Sequence, residues 1–201
     1  MTPRYPGAFW RPDDGNRGGD GDLGRLPDVG TLHEAVSPNP TSVFGWVQSA
    51  KACHAYNGRR GYMEQYADFD RHVEGVADGN EHCITFESYD GLKPESEPSY
   101  HEVQTDDPAI YGTSANTGRW DPGQCERAAD FIAWCEVVLG SIKAVEIPDS
   151  RPGQSGWAPH RWGIAPWRVP GGEVWTRHDG KPCPGDLRVN QIPGIVARAQ
   201  Q

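Results

Sequence analysis

Near the end of the chain runs Trp175-Thr-Arg-His-Asp-Gly-Lys-Pro-Cys-Pro-Gly-Asp-Leu-Arg188. Pro182 and Pro184 flank Cys183 and fix φ on both sides of it, while Gly180 and Gly185 permit tight turns. A thiolate held that rigidly, beside a lysine that lowers its pKa, suits a metal ion. The same residues also make a plain structural turn, so the reading depends on what the rest of the chain can bring to Cys183.

Composition narrows the field. The 201 residues include 25 glycines and 18 prolines, and hydrophobic residues make up 36%. That mix implies many loops and few long helices. Eight tryptophans, seven tyrosines and five phenylalanines nevertheless need a core, which excludes disorder. The length is that of one domain, residues 1–201, and a monomer is expected. A net charge of −9 without a basic run argues against nucleic acid as partner. No stretch approaches the roughly 20 apolar residues that span a bilayer, and Met1-Thr-Pro-Arg-Tyr-Pro has no signal-peptide core. Five cysteines, an odd number, form no dense disulfide framework, so synthesis in a reducing cytosol with free thiols is expected.

Upstream of the quoted stretch, Gly171-Gly172 marks a turn and Gly156-Trp-Ala-Pro-His160-Arg-Trp opens the final section. From the other end, residues 1–28 read as an irregular arm pinned by Tyr5, Phe9 and Trp10, with a flexible loop from Asp13 to Gly24. Val29–Val36 reads as a short buried strand carrying His33. Thr41 or Ser42 can cap a helix to about Ala52, because Val43, Trp46, Val47 and Ala50 fall at helical spacing. His54–Tyr56 and Gly61–Tyr66 read as a hairpin closed by Asn57-Gly58, and His82–Tyr89 alternates as another strand. Residues 90–120 form a polar insertion without periodicity.

The clearest helix starts at Pro122 with Asp121 as N-cap. Ala128, Phe131, Ile132, Cys135, Val138 and Leu139 line one face, and Gly140 ends it. Cys125 and Cys135 lie nearly three turns apart on that helix, too far to bridge, and read as small core residues. Gln191–Gln201 reads as a closing helix. Short strands and about three helices without regular alternation predict an α/β domain with a central mixed sheet.

His33 at a strand end, Gly79-Asn80 before Ile84-Thr-Phe-Glu87, and Lys181-Pro-Cys183-Pro-Gly185, in this order, resemble the zinc-dependent N-acetylmuramoyl-L-alanine amidases. These share a fold with the peptidoglycan recognition proteins. Tyr5-Pro-Gly-Ala8 is similar to the start of amidase domains in endolysins from phages of actinobacteria. The resemblance covers roughly residues 5–196, the polar insertion excepted.

The resemblance implies a mixed sheet flanked by helices, with zinc in a surface groove held by two histidines and a cysteine. His33 and Cys183 match the first and third ligands. The second lies between His160, in a segment that resembles the family's approach to the final loop, and His178, five residues before Cys183; His160 is the expected one. Three protein ligands and an open position make a catalytic zinc site. The resemblance further implies Glu87 as general base, since the family's alternative tyrosine is replaced by Cys53 before His54, and Lys181 as stabiliser of the oxyanion. Peptidoglycan would be the substrate. The protein would be made in a bacterial host cytoplasm without its own signal and would act on the wall after release.

Trp162, Trp167 and Trp175, between His160 and Cys183, are expected to wall the groove. His54, His72, His82 and His101 are expected at the surface or in packing. A non-catalytic wall-binding module, a structural protein of a phage particle and a zinc peptidase acting within the stem peptide are the competing readings.

Overall fold

The computed structural model describes residues 3–12, 22–35, 42–45, 47, 53–58, 62–89 and 119–201. Among the described residues six strands form one sheet: β1 Phe9–Trp10, β2 Val29–Ala35, β3 Ala55–Asn57, β4 Met63–Gln65, β5 Cys83–Tyr89 and β6 Gly156–Pro159, in the order β1-β4-β3-β5-β2-β6. Only β3 and β4 pair antiparallel; the other neighbours are parallel, so the sheet is mixed as expected.

The alternation in β2 and β5 divides the sheet into two different faces. Leu32, Ile84 and Phe86 point to one side, where helix α1 (Pro122–Trp134) and helix α3 (Ile192–Ala199) cover them with Ala128, Phe131, Ile132, Ile195 and Val196. On the other side the register pairs Val29 with Cys83, Thr31 with Thr85, His33 with Glu87 and Ala35 with Tyr89. The first of these pairs joins a small apolar cluster with Val76, Ile147, Ala158 and Trp175. The last joins a second cluster with Val43, Val47, Tyr56 and Tyr66. Between the two clusters the strands present only polar side chains, and they are buried.

Helix α1 begins where its capping residues dictate. Asp121 accepts from the Gln124 amide and the Gln124 side chain accepts from the Asp121 amide, with Pro122 in the first turn. After Trp134 the helix widens into a π-helical turn, Cys135–Leu139, closed by the Gly140 amide on the Cys135 carbonyl and by Gly140 in the left-handed region. That widening corrects the expected face. Cys135 and Leu139 stay buried, but Val138 turns outward. Cys125 is half-buried against the same core, and all five cysteines are free thiols.

Several local expectations change. The N-terminal arm is not wholly irregular, because Phe9 and Trp10 form an edge strand on β4. Tyr5 does pin the arm, edge-on to Phe131 and Trp134, whereas Phe9 is exposed and stacks on Tyr62. Asn57 is not a turn residue but a strand partner of Met63, and the Gly58 amide closes a longer loop on the Tyr62 carbonyl. Gly156–Pro159 is a buried strand, tolerated beside β2 because Gly30 leaves room for the Trp157 ring; a Cβ there would lie 2.3 Å from it. Phe44, Gly45 and Val47 are helical, Ser42 accepts from the Phe44 amide just before them, and residues 41, 46 and 48–52 of the expected helix lie outside the described residues, as do residues 90–118 with His101. Among the described residues no helix is long and apolar enough to cross a membrane.

Candidate metal centre

His33 and Glu87 face the same side because they are register partners on adjacent strands, and His33 Nδ1 lies 3.5 Å from a Glu87 carboxylate oxygen. Beyond β6 the chain turns in a short 3₁₀ segment, His160–Gly163, which lays the His160 ring on that of His33 with centroids 4.1 Å apart. The backbone then brings Cys183 alongside: the Arg161 amide donates to the Cys183 carbonyl at 2.9 Å. Cys183 Sγ accepts from the Glu34 amide at 3.3 Å and lies 4.0 Å from His33 Nδ1. One donor atom from each of His33, His160 and Cys183 falls within 4.8 Å of the others, and all three residues are buried.

Hydrogen bonds leave the right nitrogens available. His33 Nε2 lies 3.1 Å from the Thr31 hydroxyl, which itself donates to the Ile84 carbonyl at 3.0 Å. With that hydroxyl's hydrogen engaged, His33 donates through Nε2 and its Nδ1 carries a lone pair. His160 Nε2 donates to the Trp175 carbonyl at 2.9 Å. Among the described residues its buried Nδ1 has no hydrogen-bond partner, as suits a nitrogen whose lone pair serves a metal. Two imidazole nitrogens and a thiol at this spacing fit one zinc ion, whose bonds run about 2.0–2.3 Å, with a fourth position open.

Burial dominates the electrostatics of the cluster. Burial, with the Lys181 charge, depresses His160 to about 3. Burial, His160 and Lys181 hold His33 well below the ordinary imidazole value. Burial lifts the Cys183 thiol to about 12, with Lys181 pulling down and Glu87 pushing up. Without an ion the cluster is therefore neutral, and binding a metal would release the thiol proton. Burial lifts Glu87 to about 8, Lys181 opposing and Glu34 adding to the rise. The Lys181 charge acts on all four groups, lowering each of them.

The structure thus brings together His33, His160, Cys183 and Glu87, with the Lys181 charge acting on all four, and leaves His178 exposed and outside the cluster. His54 is a packing residue, its ring held between the Arg71 carbonyl and the Thr85 amide. His82 is buried between Asp28 and Glu173, at 2.9 and 2.8 Å. Trp175 does not wall the groove. It fills the space over Gly163 and Gly79, where a Cβ would come within 2.2 and 2.9 Å of the indole. Trp162 and Trp167 flank the Arg161 guanidinium, 5.3 and 5.2 Å from the ring centres. Thr31 and the Trp175 carbonyl went unnoticed in the sequence. For Thr31 the signal was there, since it precedes His33 by two residues and so shares its face.

The fold is that of the N-acetylmuramoyl-L-alanine amidases. The amidase LysC from Clostridium intestinale URNW superposes with a TM-score of 0.56 over 96% of this chain and 97% of its own, at 10% identity. AmpD superposes with a TM-score of 0.54 over 96% of both chains, at 15% identity. The Staphylococcus aureus hydrolase AmiA, solved with its ligand, gives 0.51 over 99% of this chain and 84% of its own, at 12% identity. The sequence matches no protein-family model and no curated protein.

Proposed function

We propose that this protein is a zinc-dependent N-acetylmuramoyl-L-alanine amidase that cleaves the bond between the muramic acid lactyl group and L-alanine in peptidoglycan, as a cell-wall lytic enzyme of the endolysin type. The observation that carries the reading is the buried His33–His160–Cys183 cluster, with two imidazole lone pairs and a thiol converging beside Glu87. The amidase fold supports the choice of substrate.

In this reading His33, His160 and Cys183 hold the ion. Zinc bound there supplies Lewis acidity toward water and the scissile carbonyl. Glu87 takes the proton from the attacking water and returns it to the leaving nitrogen. A carboxyl lifted to about 8 by burial holds a proton readily, and a bound cation favours its ionised form, so it is suited to both steps. The Lys181 ammonium stabilises the negative charge that develops on the carbonyl oxygen.

Digestion of purified cell wall with the zinc-loaded protein, followed by mass spectrometry, tests the proposal. Stem peptides beginning with free L-alanine, and glycan stripped of them, are expected. Fragments cut within the stem peptide would reassign the chain as a peptidase. Wall bound but uncut by zinc-loaded protein would make it a binding module.

A further inference from the structure

Arg188 is fully buried in the short helix α2, Asp186–Val189, five residues beyond Cys183. One of its terminal nitrogens lies 2.7 Å from a Glu34 carboxylate oxygen and donates to the Pro184 carbonyl at 3.3 Å. Glu34 follows His33 directly and donates its backbone amide to Cys183 Sγ. A single guanidinium nitrogen therefore grips the immediate neighbours of two residues 150 positions apart in sequence.

A buried ion pair is a poor source of stability, because desolvating two charges costs about what their attraction returns. Its retention here has a local use. Glu34 is buried next to His33 and its backbone amide holds the Cys183 sulfur, so a carboxylate left without its counter-charge at this spot would repel a thiolate ligand at short range. The guanidinium stays charged at any working pH and can hold the carboxylate and the carbonyl together.

We propose that Arg188 is a positioning residue of the metal centre: by neutralising Glu34 and tying it to Pro184, it fixes the Cys183 sulfur against the Glu34 amide and beside His33. The proposal rests on the metal reading of the cluster. Sequence spacing alone does not reveal it, since Glu34 and Arg188 meet only when β2 and the final loop come together.

Zinc affinity by chelator competition, the cobalt–thiolate absorption band of the Co²⁺-substituted protein, and melting of the metal-free protein test it. Zinc and cobalt salts are the probes. Arg188→Met should weaken zinc binding by about 10–100-fold, the usual effect of losing a group that supports a ligand, and should alter the cobalt band. Glu34→Gln combined with Arg188→Met should recover part of that loss, because the uncompensated charge is gone. Should Arg188→Met fail to fold, Arg188→Lys decides. An ammonium neutralises Glu34 but cannot reproduce the guanidinium's grip, so zinc binding weakens several-fold with a shifted cobalt band. Folded variants with wild-type zinc affinity and an unchanged cobalt band overturn the proposal alone. A wild-type protein that takes up neither ion overturns the metal reading, and this proposal with it.

Discussion

His33 and Glu87 stand on neighbouring parallel strands, whereas His160, Lys181 and Cys183 stand on chain that has left the sheet. In the strand half, backbone pairing sets the geometry, and a one-residue slip would turn both side chains to the opposite face. In the second half, placement depends on single contacts: the Arg161 amide on the Cys183 carbonyl, His160 on the Trp175 carbonyl, and the Trp175 amide on the Gly163 carbonyl. The strand half is thus specified many times over and the other half once per contact. A substitution at Glu87 in the strand half should change chemistry while sparing the fold. Substitutions at His160 and Cys183 in the other half should change metal binding first.

The largest expected effect is that of Cys183→Ser. A hydroxyl is a poor zinc ligand beside two imidazoles, so this variant should lose more affinity than the 10–100-fold typical of an outer partner, and essentially all wall-lytic activity. Metal content after dialysis measures it, and full zinc retention would remove the cluster from the mechanism.

Glu87→Gln probes the strand half. Zinc content should hold while turnover falls about 10²–10⁴-fold, the range for removing a positioned acid–base group. The same variant makes a stability prediction with a definite sign. Glu87 titrates at about 8 when folded, against an ordinary 4.5, so the folded state binds the extra proton between those values. Its contribution to stability is complete below pH 4.5 and is lost as pH rises toward 8. Metal-free Glu87→Gln should therefore melt above the metal-free wild type at pH 8, with the gap closing toward pH 4.5. Each kcal/mol recovered would appear as about 2–4 °C. A constant gap across that range would place the Glu87 carboxyl in water, contrary to its burial.

Lys181→Met keeps the length of the stem and removes the charge. The rate should fall about 10²–10³-fold if Lys181 meets the oxyanion. Because its charge lowers Glu87, the pH–rate profile should also move to higher pH. A slower enzyme with an unmoved profile would put Lys181 farther from the cluster than its electrostatic reach indicates.

The same division governed what could be read from sequence. The strand half was legible because Val29–Ala35 and Cys83–Tyr89 are regular and bounded, which put His33 and Glu87 at defined positions. In the other half, Pro182-Cys183-Pro184 announced a fixed thiol, but the choice between His160 and His178 depended on the path of 22 residues. That path follows from Trp175 sinking onto Gly163 and Gly79, a long-range fit without periodicity. The glycines were its only trace, and counting Trp175 among the groove-walling tryptophans was the wrong inference, since it is buried over them. Val138 failed for a related reason: a 3.6-residue period was carried past Trp134, where the helix widens. Two residues of β1 are too few for any period to register.

The smallest expected effect is also the sharpest test of the half outside the sheet. His178 lies closer in sequence to Cys183 than His160 does, yet it is exposed, and its backbone amide turns back on the Thr176 hydroxyl at 3.3 Å. His160 is buried and grouped with His33 and Cys183, its Nε2 held by the Trp175 carbonyl. His178→Ala should leave zinc content unchanged and stability within about 0.5 kcal/mol, as for other surface substitutions away from special features. His160→Ala, measured beside it, should strip the zinc, because the ion would keep only His33 and Cys183. Any loss of wall digestion in His178→Ala at full zinc content would then belong to substrate contact. If His178→Ala loses the metal instead, the stretch from Gly163 to Cys183 must fold back differently when the ion binds, and the contacts that hold His160 would describe only the metal-free state.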